Sequence, residues 1–147
     1  MELLTKYFSN MQYTEDEVIF FKNGIFGFAD YKKYVLIRFD NKNDSLICLQ
    51  SIEEPSIAFV MINPYNFIND YAIFLDDEDY SELEIIDSNK LLVYNICVVN
   101  DEVSESTANL KCPIIVNSET RLAKQIILDD SKYPFKYPFS KLINKEV

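Results

Sequence analysis

Side chains that could carry out chemistry are scarce in this chain of 147 residues. Histidine is absent, so the usual proton shuttle near neutral pH and the commonest zinc ligand are both missing. The three cysteines, Cys48, Cys97 and Cys112, lie far apart in the sequence and form no CxxC pair for a metal or redox centre. Each lies in an apolar run, so we expect buried free thiols that pack as small hydrophobic side chains. This composition disfavours an enzyme.

Motifs for nucleophilic or phosphate chemistry are also missing from the sequence. Without histidine, a serine or cysteine nucleophile would need lysine or a carboxylate as its base, and neither a GxSxG nor an SxxK pattern occurs. Carboxylates are plentiful, but nothing pairs two of them as general acid and base. Gly24 and Gly27 are spaced as in part of a nucleotide-binding loop, but the third glycine and the following helix pattern are missing. We interpret both as structural turn residues that permit a positive φ between two strands.

The carboxylates are concentrated in the middle of the chain. The net charge is −10; residues 43–89 contain eleven acidic residues and no basic one, whereas residues 120–147 contain six basic and three acidic residues. The run Asp76-Asp77-Glu78-Asp79 lacks the spaced oxygen ligands and central glycine of an EF-hand, so we predict neither a metal nor a cofactor there. An acidic face can serve solubility alone, or it can steer a basic protein partner. Direct binding of nucleic acid is disfavoured, because phosphates would meet a repulsive field.

The elements that must position these groups are predicted from short runs rich in β-branched and aromatic residues. Polar turn residues separate the runs at intervals of about 8–12 residues, which is typical of an antiparallel sandwich or a small barrel. We favour the barrel because closure protects hydrophobic strand edges. The predicted class is all-β, a small antiparallel β-barrel-like domain with little helix. The predicted strands are Val18–Phe21, Tyr34–Phe39, Leu46–Ser51, Ile57–Ile62, Tyr71–Leu75, Leu91–Val99, Pro113–Val116 and Gln125–Leu128, with Met1–Leu4 as a further edge strand.

Two local patterns add detail to this prediction. The best helical candidate is Asp79–Ile86, one or two turns with Leu83 and Ile86 on a common face. Asn109 precedes a strand that looks buried, and an asparagine in such a place usually bonds the backbone of a turn. We therefore interpret Asn109 as a structural turn residue.

One domain is expected to span residues 1–147, with residues 130–147 as an extended tail. The tail repeats a Tyr-Pro-Phe unit between residues 133 and 139, and two prolines so close together forbid a central strand. We expect its rings either to pack over the barrel mouth or to dock a partner. No apolar run approaches the roughly 20 residues that span a bilayer, so we expect a cytoplasmic protein without a membrane role, with a monomer as the default.

Six groups of short motifs in a fixed order resemble those of one known family, and together they extend over most of the chain. The segments are Thr5-Lys6-Tyr7-Phe8; Val18-Ile19-Phe20 with Gly24-Ile25-Phe26-Gly27-Phe28; Leu49-Gln50-Ser51 with Pro55-Ser56-Ile57-Ala58-Phe59; Asn63-Pro64 with Asp70-Tyr71; Thr107–Asn117; and Gln125-Ile126-Ile127-Leu128. Together they resemble the FliW family of flagellar assembly factors. Ser9, Phe26 and Ala123-Lys124 depart from the family pattern, because each stands where the family usually has a turn-forming residue.

The resemblance implies a non-enzymatic cytoplasmic protein on a small β-barrel, without a cofactor. Proteins of this family bind flagellin; when flagellin is exported, the freed protein binds the RNA-binding carbon storage regulator CsrA and stops it from repressing flagellin translation. The acidic middle of the chain suits a basic CsrA surface. We expect the acidic segment 70–87 to steer partners and nearby exposed rings to anchor them. The candidate partner-binding residues are Asp70, Tyr71, Asp76, Asp77, Glu78, Asp79 and Tyr80.

Three alternatives stay open at this point. Within the same family, the protein could be a dedicated flagellin chaperone without a CsrA role. A β-barrel with an aromatic face could instead bind single-stranded nucleic acid, which suits the aromatic content but not the charge. An enzyme that relies on aspartate and glutamate is the third alternative, and no residue pattern marks its site.

Overall fold

The computed structural model describes residues 1–40, 43–130 and 132–144, and this part of the chain is mostly β-structure. The strands are β1 (Glu2–Leu3), β2 (Met11–Gln12), β3 (Ile19–Phe21), β4 (Lys33–Asp40), β5 (Asn43–Ser51), β6 (Ala58–Ile62), β7 (Leu91–Val98), β8 (Thr107–Ala108), β9 (Ile114–Asn117), β10 (Leu122–Gln125) and β11 (Tyr137–Pro138). The α-helices are α1 (Asp77–Glu82) and α2 (Phe139–Asn144), and short 3-10 helices lie at Glu15–Glu17, Pro64–Asn66, Ser88–Lys90 and Val103–Glu105. Within these ranges, no helix has the length and apolar character that crossing a bilayer requires.

Seven strands close into a barrel. Each is hydrogen-bonded to the next in the order β7-β6-β5-β4-β3-β10-β9, and β9 returns to β7. The predicted all-β barrel class is therefore confirmed. One pair departs from the predicted antiparallel arrangement, because β10 runs parallel to β3 with Leu122 opposite Phe20. An odd number of strands that alternate in direction cannot close into a ring without one parallel pair.

The barrel interior is filled by alternate side chains of its strands. In β3, Ile19 and Phe21 have no exposed surface, whereas Phe20 between them is 37% exposed. The ring of Phe21 meets that of Tyr34 edge-on, with the ring centroids 5.3 Å apart. Leu49 of β5 also has no exposed surface and belongs to the same cluster. Alternate side chains of the strands thus build one core inside the ring.

Residues 63–90, here called the outer segment, connect β6 to β7 and contain α1 but no strand. Their buried side chains include Tyr71 and Leu83, which belong to a second cluster with Ile115 of β9. Ile114, the neighbour of Ile115 in the same strand, belongs to the interior cluster instead. Because successive side chains of a strand point to opposite faces, the outer segment packs on the outside of the barrel.

Most predicted strands are present within a few residues of their expected bounds, but two are not. The strand predicted at Tyr71–Leu75 is wrong: the segment runs without a bend, yet it belongs to no strand. The strand predicted at Gln125–Leu128 is displaced, because the β10 ladder ends at Gln125. The next position lies opposite Pro113, which has no N–H to donate to the ladder.

The tail is extended over only part of its length. Tyr137–Pro138 add a short edge strand to Thr107–Ala108, where a proline is tolerated because its missing N–H faces away from the sheet. The chain then forms α2, which the prediction of an extended tail over residues 130–147 did not include. Residues 131 and 145–147 of that prediction lie outside the described residues.

The rings of the tail divide between packing and exposure. Tyr133 is buried and packs edge-on against Tyr71 of the outer segment, with ring centroids 4.8 Å apart. Phe135 is 57% exposed, and the ammonium group of Lys111 lies 5.8 Å from its ring centroid. The tail therefore fastens the outer segment through Tyr133 and leaves Phe135 at the surface.

The residues interpreted as turn residues make the expected backbone geometry. Gly24 and Gly27 have φ values of 69° and 86°, in the left-handed region that glycine adopts without steric cost. A Cβ at Gly24 would lie 2.7 Å from the Cα of Ala29, whereas at Gly27 it would meet nothing within 4 Å. The side-chain oxygen of Asn109 accepts a hydrogen bond from the N–H of Cys112 at 2.9 Å.

All three cysteines are buried free thiols, as predicted. Burial raises the pKa of Cys48 to about 11 and that of Cys97 to about 12. It also raises the pKa of Cys112 above its ordinary value. The thiolate is the reactive form of cysteine, so these side chains act as apolar packing groups at neutral pH.

Candidate functional site

The acidic run is also the start of a helix, because Asp76 caps α1. The carboxylate of Asp76 accepts a hydrogen bond from the N–H of Asp79 at 2.8 Å, and the Asp79 carboxylate accepts one from the N–H of Asp76 at 3.1 Å. This reciprocal pair is a capping box. Asp77 and Glu78 occupy the first turn, where the helix dipole favours negative charge. The run of four acidic residues therefore stabilises α1, at whose start it lies.

The helix is displaced from the predicted span. It covers Asp77–Glu82 rather than Asp79–Ile86, because Glu84 adopts a φ of 51° and turns the chain out of the helical path. Leu83 is 1% exposed, as expected for a core residue. Ile86 is 98% exposed, so the prediction that it shares a buried face with Leu83 is wrong.

The turn between β9 and β10 holds the end of α1. The side-chain amide of Asn117 donates to the carbonyl of Leu83 at 2.9 Å and to that of Glu84 at 3.3 Å. The hydroxyl of Thr120 also donates to the carbonyl of Leu83, at 3.2 Å. These bonds satisfy carbonyls that a helix end leaves without intrahelical partners.

One lysine of β10 ties α1 to the barrel wall. The Nζ of Lys124 lies 2.7 Å from Oδ1 of Asp79 and 2.8 Å from Oε2 of Glu82. Burial alone would lower the pKa of Lys124, but the two carboxylates raise it well above its ordinary value. Burial alone would raise the pKa of Asp79, but hydrogen bonds and the charge of Lys124 hold it below its ordinary value. The hydrogen bond from Lys124 also lowers the pKa of Glu82.

Five of the candidate partner-binding residues lie at the surface. Asp76, Asp77 and Glu78 are exposed at the start of α1, and the ring of Tyr80 on the same helix is 43% exposed. Asp70 is also exposed, but it lies before the straight stretch that leads to the helix. The structure thus brings Asp76, Asp77, Glu78 and Tyr80 together on one short element, and Asp70 stays apart in the chain.

The other two candidates, Tyr71 and Asp79, are buried. The prediction that the Tyr71 ring is exposed is wrong: it is 3% exposed, its hydroxyl donates to the carbonyl of Leu110 at 2.6 Å, and it accepts from Nδ2 of Asn95 at 3.1 Å. Burial raises the pKa of Tyr71 well above its ordinary value. Asp79 is 7% exposed and is bonded to Lys124. Both residues anchor the outer segment rather than present themselves to a partner.

A groove of about 770 Å³ between the outer segment and the continuation of β10 was not predicted. Phe74 on one side is 81% exposed, and Ile127 on the other is 59% exposed. In the sequence both lie in apolar runs that predict buried strands, so no sequence signal separates them from core residues. The lining residues are Ala72, Ile73, Phe74, Asp76, Asp79, Lys124, Ile126, Ile127, Leu128, Asp129 and Asp130.

This region combines exposed charge, an exposed ring and an apolar groove. Among the described residues, no group of three or more cysteine, aspartate or glutamate side chains is placed to hold a metal ion. The groups that converge are exposed carboxylates, an exposed phenol ring and an apolar groove. Fold and surface together define a class of protein: a small closed β-barrel that carries an acidic helix on its outside.

Comparison with known sequences places the chain in a family within that class. The family model described as FliW protein matches residues 2–139. A flagellar assembly factor FliW from Caldanaerobacter subterraneus subsp. tengcongensis is 43% identical, over 94% of this chain and 92% of that protein. Another, from Clostridium botulinum strain Okra, is 36% identical over 96% of this chain and 98% of that protein. The chain belongs to the FliW family, and the resemblance found in its motifs is confirmed.

A solved structure shares the fold. The crystal structure of the flagellar assembly factor FliW superimposes with a TM-score of 0.87 at 34% sequence identity. The match covers 94% of this chain and 96% of that chain. The barrel and the outer segment are therefore features that this chain shares with a solved member of its family.

Proposed function

We propose that this protein is a monomeric, cytoplasmic flagellar assembly factor that partitions between two protein partners. It binds flagellin, and when flagellin does not occupy it, it binds CsrA and relieves the repression of flagellin translation. The relatives named flagellar assembly factor FliW support the assignment to flagellar assembly. The charge and exposure of α1 support the proposed binding of CsrA.

The observation that carries the CsrA part is the uncompensated charge on the outer face of α1. Asp77 and Glu78 are exposed, and residues 43–89 contain no lysine or arginine. An RNA-binding partner needs basic surface for phosphates, and such a surface is complementary to these carboxylates. Tyr80, 43% exposed on the same helix, offers apolar area and a hydroxyl of the kind that anchors protein interfaces.

The ion pairs of Lys124 separate two roles among the acids of α1. Asp79 and Glu82 face Lys124 at 2.7 and 2.8 Å, so their charges are compensated within the protein. Asp77 and Glu78 have no ion pair with the described residues. The helix thus keeps its position with one set of carboxylates and offers a partner the other set.

The test is calorimetric titration of the purified protein with CsrA and, separately, with flagellin from the same organism, at two salt concentrations. Removing two charges in Asp77→Asn/Glu78→Gln should weaken CsrA binding about three- to tenfold at low salt and flatten its salt dependence. The matched control is Asp101→Asn/Glu102→Gln, which removes the same charge from exposed residues of another loop and should leave binding unchanged.

Each outcome of this titration separates the proposed function from its alternatives. Binding to flagellin without CsrA would leave a dedicated chaperone. An affinity for CsrA that is insensitive to salt and to Asp77→Asn/Glu78→Gln would contradict the role given to α1. A shift of labelled single-stranded RNA by the protein alone at low salt would favour the nucleic-acid alternative, against which the net charge of −10 argues.

A further inference from the structure

The backbone that continues β10 is hydrogen-bonded on one side only. The N–H of Ile126 donates to the carbonyl of Pro113 at 3.0 Å, and that of Leu128 donates to the carbonyl of Lys111 at 2.7 Å. Along an extended chain, the N–H groups of Ile127 and Asp129 point the other way. Neither has a hydrogen-bond partner within the described residues. The outer backbone edge of residues 126–129 is therefore free within the described residues, next to a closed barrel.

This free edge borders the groove. Residues 126–130 line it, whereas Lys111 and Pro113, which pair with the opposite side of the same backbone, do not. Across the groove, residues 72–75 also run without a bend. Of their backbone N–H groups, only that of Ala72 has a partner among the described residues, the Tyr133 hydroxyl at 3.0 Å. Residues 72–74 and 126–130 thus line the same groove of about 770 Å³ without forming a ladder with each other.

The groove is apolar in its middle and acidic at its ends. Phe74 and Ile127 contribute large exposed side chains, 81% and 59% exposed. Asp76 lies at one end, and Asp129 lies at the other with Asp130, whose carboxylate is 3.8 Å from the Nζ of exposed Lys132. Lys124 is the single basic residue of the lining, and its charge is taken up by Asp79 and Glu82. An occupant must therefore be apolar in its centre and basic at its ends.

We propose that this groove binds an extended peptide segment of a partner protein as an added β-strand beside residues 126–130. The peptide carries alternating apolar side chains flanked by lysine or arginine. Its backbone carbonyls accept from the N–H groups of Ile127 and Asp129, and its apolar side chains cover Phe74 and Ile127. Strand addition of this kind gives affinity through main-chain bonds and selectivity through side-chain pockets.

This inference goes beyond the proposed function, because the groove uses a different set of residues. The outer face of α1 is represented by Asp77, Glu78 and Tyr80, none of which lines the groove. Loss of peptide binding would leave the titration with CsrA, which is assigned to the outer face of α1, untouched, and the reverse also holds. The two proposals can therefore fail separately.

The probe is a synthetic peptide, fluorescein-Lys-Val-Thr-Ile-Lys-amide, with the same peptide flanked by glutamate in place of lysine as its charge control. Binding to the full chain is measured by fluorescence polarisation, and the bonded groups are located by amide hydrogen exchange in NMR spectra. We expect the lysine peptide to bind and to slow exchange at Ile127 and Asp129. The glutamate peptide should bind at least about tenfold more weakly, because both flanking charges change from positive to negative.

Three variants test the site from the protein side. Ile127→Pro removes one free N–H at an edge that tolerates proline, and should weaken peptide binding about tenfold or more. Asp76→Asn/Asp129→Asn keeps a capping side chain at position 76 while it removes charge from both ends, and should weaken binding about three- to tenfold. The matched control, Asp77→Asn/Glu78→Gln, removes the same charge from α1 outside the groove and should leave peptide binding unchanged.

Several results would overturn the proposal. The first is absence of binding at millimolar peptide, and the second is binding without protection at Ile127 and Asp129. The third is binding that survives Ile127→Pro and Asp76→Asn/Asp129→Asn but is lost in the α1 control. The fourth is concentration-dependent dimerisation in sedimentation that Ile127→Pro abolishes, because a second copy of this chain would then be the occupant.

Discussion

The barrel and the outer segment are built on different principles. Each strand of the seven-strand ring pairs with two neighbours, and its interior is filled by side chains such as Leu49 that have no exposed surface. The outer segment has no strand. It is held by a few side chains, chiefly Tyr71, Leu83 and the Asp79–Lys124 ion pair.

This difference explains where the charge can lie. Eight of the eleven acidic residues between positions 43 and 89 lie in the outer segment; they would be costly if they pointed into the barrel, but on an outer element they cost little. Because buried groups and the Asp76 cap hold α1, the exposed carboxylates of Asp77 and Glu78 are not among the contacts that fix its position. The barrel supplies stability, and the outer segment carries the candidate recognition surface.

The largest expected effect is in the barrel core. Leu49→Ala should lower the free energy of unfolding by about 2–5 kcal/mol, because it opens a cavity in a fully buried cluster. The matched control is Leu46→Ala on the same strand, where the side chain is 41% exposed and about 1 kcal/mol or less is expected. Urea denaturation measures both variants. Equal losses would contradict the view that the interior of the ring carries the stability.

The next prediction compares the two glycines that lie between β3 and β4. Both Gly24→Ala and Gly27→Ala place a Cβ at positive φ, which costs about 1–2 kcal/mol. Only Gly24→Ala also brings a Cβ to 2.7 Å from the backbone of Ala29, so its loss should exceed that of Gly27→Ala by about 1–3 kcal/mol. Thermal and urea unfolding of the pair measure the difference. Equal stabilities of Gly24→Ala and Gly27→Ala would mean that the backbone of the turn moves to make room for the Cβ at position 24.

A smaller effect is expected where the outer segment joins the barrel. Lys124→Met leaves Asp79 and Glu82 facing each other without their cation and should cost about 1–3 kcal/mol. It should also speed amide exchange in α1 more than in β5. Lys132→Met is the control, because its ion pair with Asp130 is 3.8 Å long and exposed, so about 0–1 kcal/mol is expected. Uniform exchange changes in helix and barrel would contradict a separate outer element.

The smallest expected effect is a change in the free energy of unfolding with pH. The pKa of Asp79 is held low and that of Lys124 is raised, so their pairing stabilises the fold while both are charged. As pH falls below about 4, Asp79 takes up a proton in the unfolded chain before it does so in the folded protein, so the stabilisation is lost. As pH rises above about 10.5, Lys124 loses its proton in the unfolded chain before it does so in the folded protein, and the stabilisation is lost again. The stability difference between the protein and Lys124→Met should therefore be largest between these limits. A difference that stays constant from pH 3 to pH 8, about the range that spans the carboxylate titration, would contradict the pairing.

Sequence reasoning was reliable wherever a local pattern repeats along several residues. Runs rich in β-branched and aromatic residues predicted β4, β5 and β7 within about three residues of their observed bounds, and the need to protect many hydrophobic strand edges favoured a barrel. Positive φ at Gly24 and Gly27 and the backbone bond of Asn109 also follow from residue type alone. These features depend on residues that are close in the sequence, so they can be predicted from the sequence.

The tertiary structure decided the features that depend on distant partners. Whether Tyr71–Leu75 forms a strand depends on a neighbouring strand, and its N-terminal part meets the hydroxyl of Tyr133 instead. The apolar run that contains Tyr71 and Phe74 also does not indicate that Tyr71 is buried and Phe74 is exposed. Above all, the ion pairs of Lys124 with Asp79 and Glu82 join positions that only barrel closure brings together. The sequence by itself determined the family, the barrel class and the acidic composition, whereas long-range packing alone decided which acids hold the helix and which face the solvent.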